Sequence, residues 1–236
     1  MGKLARLPAI DMLRGFVIAL MALDHARDFF GPTVFSPEDL ALTSPGWFWT
    51  RWITHLCATT FVLLAGSSAF LRGQGSGVPA LSSYLATRGA MLIVLEMTWI
   101  SFSWQFSFDV FIMQVLWALG AGMVFLSLLV WLPRPAIALI AAALILPHNL
   151  FDSVKDIGVV WTAWHQGGFV PFGEGHGITF MYFGGTPYFN SDGVSPLFGD
   201  YAPSLAIVYA AWLFILVLMY GLTLAWCRWR TTRLAI

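Results

Sequence analysis

The stretch IDMLRGFVIALMALDHARDFF, residues 10–30, is an apolar segment that carries ionisable residues near both ends. A helix of about 20 residues is long enough to cross a bilayer. A charged side chain in hydrocarbon costs about 2.5–3.5 kcal/mol on insertion scales, so such residues are usually paired, solvated or functional. A helix rotates by about 100° per residue, which places one set of side chains on a single stripe. The residues on this stripe are Asp11, Arg14, Ile18, Met21, His25 and Asp28, and Arg27 lies off it. This helix therefore carries an acid–base pair at one end and a histidine cluster about 21 Å away at the other.

The composition of the chain indicates an integral membrane protein. Of its 236 residues, 58% are hydrophobic and 10% are charged, whereas soluble domains contain about 25% charged residues. The 12 basic and 12 acidic residues balance, so the charge gives no indication of a nucleic-acid partner. Cys57 and Cys227 lie in apolar runs, and we expect neither a disulfide framework nor a cysteine metal site.

Six segments are long and apolar enough to predict membrane-spanning helices: residues 10–30, 49–71, 83–104, 111–132, 135–150 and 203–226. The fifth segment is the shortest, and it also fits a re-entrant or tilted helix. The predicted fold class is therefore all-α, a polytopic membrane helix bundle of about six transmembrane helices. We expect residues 1–236 to form a single transmembrane domain, with residues 151–202 as a long outer loop.

Basic residues beside the predicted spans set the orientation, because short cytoplasmic loops are enriched in Lys and Arg. The residues that share one side are Lys3, Arg6, Arg72, Arg134, Arg228, Arg230 and Arg233. Both termini are therefore predicted to be cytoplasmic. All five histidines then fall at outer helix ends or in the outer loop, which favours acid–base chemistry at the outer face. Arg27 and Arg51 also fall near that face, where we expect them inside the membrane as site residues.

Asp11 and Arg14 lie one helical turn apart and can pair at the inner edge of the membrane. One interpretation is a structural ion pair at the interface. The other is that Arg14 faces the phosphate of an anionic cofactor while Asp11 orients it. Gly15, the next residue, removes side-chain bulk and would permit close approach of a helix or a ligand.

Asp24 and Asp28 lie within one turn of His25 at the outer end of the same helix. A carboxylate fixes the tautomer of an imidazole and raises its basicity, as a general base requires. The alternative is a solvated helix end without catalytic function. The sequence here has no histidine–acid spacing typical of a metal site, and no metal is predicted.

Arg51 and His55 share one face of the second predicted span. If that face meets span one, His55 comes near His25, and two neighbouring imidazoles help to keep one of them neutral. A structural hydrogen bond accounts for His55 equally well.

Glu96 lies near the membrane centre of the third predicted span, where an unpaired carboxylate is costly. It therefore has either a structural partner on another helix or a place in a polar conduit. Arg88, two turns away on the same span, also needs a partner or water. Gln114 and His148 are further polar residues that could line such a path.

Several motifs occur in a fixed order along the chain. They include Arg6-x-x-x-Ile10-Asp11-x-x-Arg14-Gly15, Asp24-His25-Ala26-Arg27-Asp28, Arg51-Trp52-Ile53-Thr54-His55, Thr87-Arg88-Gly89 with Glu96, and Gln114-Val115-Leu116-Trp117. Together they resemble the bacterial heparan-alpha-glucosaminide N-acetyltransferase family, over residues 6–170 and again in the last span. The Arg-Gly to Asp-His part also resembles the broader acyltransferase-3 family.

The resemblance implies transfer of an acyl group from acetyl-CoA or another acyl-CoA at the inner side. The acceptor would be a sugar or similar small molecule at the outer side. His25 would be the general base or a transient acyl acceptor, oriented by Asp24 or Asp28, with His55 nearby. Arg14 and Arg88 would meet the phosphates of the acyl carrier, with Asp11 beside Arg14.

The resemblance also implies a position in the bacterial inner membrane. Together with the composition and the shortened length, it leads to further expectations. Residues 151–202 would replace helices that longer members of the family contain. No tightly bound cofactor is expected, and acyl-CoA is a co-substrate. The expected partners are the lipid bilayer, the acceptor and a second copy of the chain, with no nucleic acid.

Two other functions fit the same residues. One is a shortened membrane module that keeps the packing residues but has no catalysis. The other is a small transporter or proton-conducting bundle that uses Glu96 and the histidines. The absence of an inverted repeat in the sequence argues against the transporter.

Overall fold

The computed structural model of this protein describes residues 8–31, 37, 39–154, 158–180 and 204–233. The helices are, in chain order, α1 (Pro8–Phe30), α2 (Pro45–Gly75), α3 (Val78–Leu95), α4 (Ser101–Gln105), α5 (Val115–Leu129), α6 (Arg134–Ile145), α7 (Val159–Trp161) and α8 (Leu205–Arg233). A π-helical turn, Glu96–Ile100, joins α3 to α4, and a second one, Thr162–Gln166, follows α7. A 3-10 turn, His148–Phe151, follows α6.

The chain divides into two compact units. One is Met1–Leu64 with Phe189–Ile236, and the other is Ala65–Tyr188. Helix α2 contributes to both, because it runs through the boundary.

Helices α1, α2 and α8 form the first unit around a small apolar core. The residues buried in it are Leu23, Ala26, Trp47 and Val208. Polar groups at the edge of this core are also paired: the Trp212 indole N–H donates to the carbonyl of Ala19 at 2.7 Å. The hydroxyl of Thr50 lies 3.0 Å from the hydroxyl of Tyr209. The first contact holds α8 beside the part of α1 that leads to Asp24, and the second joins α8 to α2.

Helices α3 and α5 in the second unit approach closely where two glycines face each other. A Cβ on Gly89 would lie 2.5 Å from the carbonyl oxygen of Gly120, and a Cβ on Gly120 would lie 2.7 Å from that of Gly89. Small residues permit such close helix packing in membranes. The buried apolar cluster of this unit comprises Ala69, Leu81 and Leu85.

The second unit also contains a three-stranded sheet, with strands β1 (Val110–Met113), β2 (Gly168–Gly173) and β3 (His176–Phe180). Strand β3 is central: it pairs parallel with β1 and antiparallel with β2. The register places Val110 opposite Gly177. Gly175, with φ of 72°, lies in the tight β2–β3 turn, where glycine adopts a positive φ without a Cβ penalty.

The predicted helical fold is confirmed in its main part, but the all-α prediction was wrong about residues 110–113 and 168–180. Strand β1 begins in an apolar run that continues into α5, and an apolar run of this kind has no periodicity that separates a short strand from a helix. Strands β2 and β3 lie in the segment that was predicted as an outer loop.

Among the described residues, three helical segments are long and apolar enough to cross a membrane by length and composition: Pro45–Gly75, Val78–Trp104 and Leu205–Arg230. They correspond to the second, third and sixth predicted spans. Helix α1 has 23 residues, about 35 Å at 1.5 Å per residue, so it also has the length of a span. Helices α5 and α6, with 15 and 12 residues, are shorter than the roughly 20 residues of a straight span.

The number of six spans and the cytoplasmic position of both termini stay predictions, as does the single domain. Residues 1–7 and 234–236 at the termini lie outside the described residues. So do 32–36, 38, 155–157 and 181–203 of the predicted outer loops.

Candidate functional site

Asp24 on α1 is the centre of a charged network that joins α1 to α2. Its Oδ1 accepts a hydrogen bond from the hydroxyl of Thr54 at 2.6 Å and one from Nη1 of Arg51 at 3.1 Å. The same oxygen lies 2.9 Å from Nη1 of Arg27, one turn along α1. Asp24 and Arg27 are three residues apart on α1, and Arg51 and Thr54 are three residues apart on α2. One turn of each helix therefore brings these four polar side chains together.

Arg27 is the most buried charge in this network, with 8% of the residue exposed. Its Nη2 lies 2.6 Å from Oδ1 of Asp28, so its guanidinium group bridges both carboxylates. Together with Arg51, the four ionisable groups sum to zero net charge. Balanced pairing of this kind lowers the cost of burying charged side chains.

His25 lies on the exposed side of α1 beside this network. Its imidazole interacts electrostatically with both Asp24 and Asp28. The two carboxylates that were predicted to orient His25 are therefore also held by guanidinium groups. His55, half-buried on α2, directly follows Thr54 of the network.

Asp11 and Arg14 form an ion pair at the other end of α1, with 3.3 Å between Oδ1 and Nη1. Both side chains are substantially exposed, at 56% and 39%. A Cβ on Gly15 would meet no described atom within 4 Å. Gly15 was predicted to permit the close approach of a helix or of a ligand. Among the described residues no helix packs closely against it, and the surface beside Arg14 is open.

Glu96 is buried, with 1% of the residue exposed, and its carboxylate caps helix α5. Its Oε1 accepts the backbone N–H of Gln114 at 2.8 Å, and the backbone N–H groups of Leu116 and Trp117 also donate to the carboxylate. The first turn of a helix has unpaired N–H groups and a partial positive charge, which a carboxylate satisfies. This geometry favours the structural partner over the polar conduit for Glu96.

Arg88 is exposed on α3, and its guanidinium carbon lies 5.6 Å from the centre of the Tyr84 ring. The guanidinium carbon of Arg72, at the end of α2, lies 3.8 Å from the same ring centre. Tyr84 therefore brings two cations near each other at the start of α3. Arg72 was predicted only as an orientation signal, so its proximity to Arg88 is new.

His148 lies on the 3-10 turn after α6, away from Gln114 and Glu96 in the chain. Its Nδ1 is 3.2 Å from Nδ1 of His165. His148 therefore belongs to a separate group of polar side chains within the second unit.

The fold and these polar pairs define an integral membrane protein built mainly from helices. The family model described as heparan-alpha-glucosaminide N-acetyltransferase, catalytic, matches residues 6–189. The chain belongs to this family. Searches of curated proteins and of solved structures found no match.

The full network around Asp24 was not predicted from the sequence. Arg27 was left out because it lies off the polar stripe of α1. The periodicity of one helix does not show which of its faces meets a second helix. Thr54 was also missed, although its spacing of three residues from Arg51 was a signal. His165 and Asp152 were missed as neighbours of His148, because turns of the chain rather than helix periodicity bring them together.

Proposed function

We propose that this protein is a membrane acyltransferase that moves an acetyl or other acyl group from acyl-CoA at the inner side to a sugar or similar acceptor at the outer side. The membership of the family over residues 6–189 supports this proposal. The observation that carries it is the charge-balanced network of Asp24, Asp28, Arg27 and Arg51 beside an exposed His25. Such a network holds carboxylates in place next to an accessible base.

His25 is the general base of the proposed reaction. It takes a proton from the amine or hydroxyl of the acceptor as that group attacks the thioester carbonyl. The carbon–sulfur bond of the thioester breaks, the new acyl bond forms, and the thiol of coenzyme A leaves with a proton. Asp24 and Asp28 orient the imidazole and stabilise its protonated form. A transient acyl group on His25 is the alternative route to the same products.

The phosphates of the donor are proposed to bind guanidinium groups at the inner side. In the first unit, Arg14 is exposed and is oriented by Asp11. In the second unit, Arg88 and Arg72 flank Tyr84 and are a separate candidate group for these phosphates. Guanidinium groups form strong bidentate hydrogen bonds with phosphates. The distance along α1 from Arg14 to His25 is about 17 Å at 1.5 Å per residue. The thioester of the donor must therefore reach from the inner end toward His25.

The experiment uses the full chain, purified in detergent and reconstituted in liposomes, with radiolabelled acetyl-CoA as donor and glucosamine as probe acceptor. We expect wild-type protein to bind acetyl-CoA and to form N-acetylglucosamine. His25→Ala should lose turnover and keep donor binding, whereas Arg14→Ala should lose donor binding. His176→Ala is the matched control, because His176 is an exposed histidine on β3 outside the proposed machinery.

Wild-type protein that binds no acyl-CoA would overturn the proposal and favour the shortened, non-catalytic module. Turnover that His25→Ala leaves unchanged would remove His25 from the reaction. The transporter alternative is weakened by Glu96, because its carboxylate is already occupied by three backbone N–H groups of α5.

A further inference from the structure

His148, His165 and Asp152 form a compact group in the second unit, between the 3-10 turn after α6 and the π-helical turn before β2. The Nδ1 atoms of the two histidines lie 3.2 Å apart. Oδ1 of Asp152 lies 3.3 Å from Nε2 of His165. One ligand atom from each residue can be chosen so that all lie within 4.8 Å of one another.

We propose that this group binds a divalent transition-metal ion through Nδ1 of His148 and Nδ1 of His165. Zinc–nitrogen bonds of about 2.0–2.1 Å at a tetrahedral angle place two nitrogen atoms about 3.3 Å apart. The observed separation of 3.2 Å therefore fits two imidazoles that share one ion. Imidazole nitrogen is a preferred ligand of zinc, copper and nickel.

Asp152 has the position of a carboxylate that orients a metal-binding histidine. It faces Nε2 of His165, the nitrogen that the proposed metal does not use. Accepting the Nε2–H bond places the proton of His165 on that nitrogen and leaves the lone pair of Nδ1 available. Metal-binding histidines commonly donate their second N–H to a carboxylate in this way.

The ring of His165 is also fixed by packing, which lowers the entropy lost on binding an ion. Its side chain is only 6% exposed, and its ring centre lies 4.7 Å from that of Trp161. The indole N–H of Trp161 in turn donates to the carbonyl of Val154 at 2.9 Å. His148 and Asp152 are exposed, so the proposed site lies open at the surface of the second unit.

This inference goes beyond the proposed acyl transfer and does not depend on it. The ion would tie the segment after α6 to the segment before β2. No metal was predicted from the sequence, because His148 and His165 are 17 residues apart and their spacing matches no standard pattern. The residues meet only through the turns between α6 and β2.

The test is isothermal titration of the full chain, stripped with a chelator and free of any histidine tag, with zinc chloride. We expect one equivalent of zinc to bind to wild type. His148→Ala and His165→Ala should abolish this binding, and Asp152→Asn should weaken it about 10–100-fold, the range measured for groups that orient metal ligands. Cobalt should give a visible absorption band in wild type that His148→Ala removes.

His176→Ala is the matched control. His176 also faces a carboxylate, with 3.5 Å between its Nε2 and Oδ1 of Asp109, but no second imidazole is placed against it among the described residues. Zinc binding should be unchanged in this variant. Because His148 is exposed, its replacement should leave folding intact, which circular dichroism checks. Equal zinc binding by wild type and a folded His148→Ala would overturn the proposal.

Discussion

Nη1 of Arg51 on α2 lies 3.1 Å from Oδ1 of Asp24 on α1 and thereby joins the two helices through a charge pair. Asp24 also compensates Arg27, which is almost completely buried. The carboxylate therefore pairs with two cations at once. Its loss removes one partner from each of these cations and leaves one unit of positive charge uncompensated in the network.

Asp24→Ala should destabilise the protein by about 1–3 kcal/mol, because it removes an acceptor from the buried Arg27 and leaves the network with an excess positive charge, although Arg27 keeps Asp28 as a partner. The measurement is the free energy of unfolding in detergent at several denaturant concentrations. Asp11→Ala is the control: its ion pair with Arg14 is exposed, and its loss should change stability by about 0–1 kcal/mol. Similar losses in both variants would show that Asp24 is not the centre of a buried network.

The separate sequence features of this network were predictable, but its assembly was not. Helical spacing correctly put Asp24, His25 and Asp28 within one turn, since this depends only on neighbouring residues. The pairing of Asp24 with Thr54 depends on how α1 packs against α2, and one sequence does not give that rotation. The same reason explains why Glu96 was left with two interpretations: its partners lie on α5, 18 or more residues later.

Glu96→Ala should destabilise the second unit by about 2 kcal/mol or more, because it removes a helix cap and leaves buried N–H groups unpaired. Glu96→Gln keeps one carbonyl oxygen as an acceptor and should lose less. Thermal unfolding monitored by circular dichroism compares the two variants. A fully stable Glu96→Ala protein that loses transport or transfer activity would instead support a polar conduit.

Gly89→Ala should destabilise the crossing of α3 and α5 by about 1–3 kcal/mol, the typical cost of overpacking. The added Cβ would meet backbone atoms of Gly120, which cannot move away as a flexible side chain can. Gly122→Ala on α5 is the control, since its Cβ would meet no described atom within 4 Å. That variant should be neutral or more stable by up to about 1 kcal/mol, because alanine favours a helix over glycine. Equal effects of the two substitutions on the unfolding temperature would contradict the close crossing.

Thr179→Val should stabilise the protein slightly, by up to about 1 kcal/mol, because it removes a buried hydroxyl that lacks a hydrogen bond and keeps the side-chain shape. Thr179 lies on the central strand β3 with 0% exposure, and its Oγ1 has no hydrogen-bond partner within the described part of the chain. Thr50→Val makes the same chemical change at a residue with 2% exposure. The hydroxyl of Thr50 donates to the carbonyl of Gly46 at 2.7 Å and lies beside that of Tyr209, so its loss should destabilise by about 1–2 kcal/mol. The two matched substitutions should therefore change the free energy of unfolding, measured with a chemical denaturant, in opposite directions. A loss of stability in Thr179→Val would show that this hydroxyl has a partner.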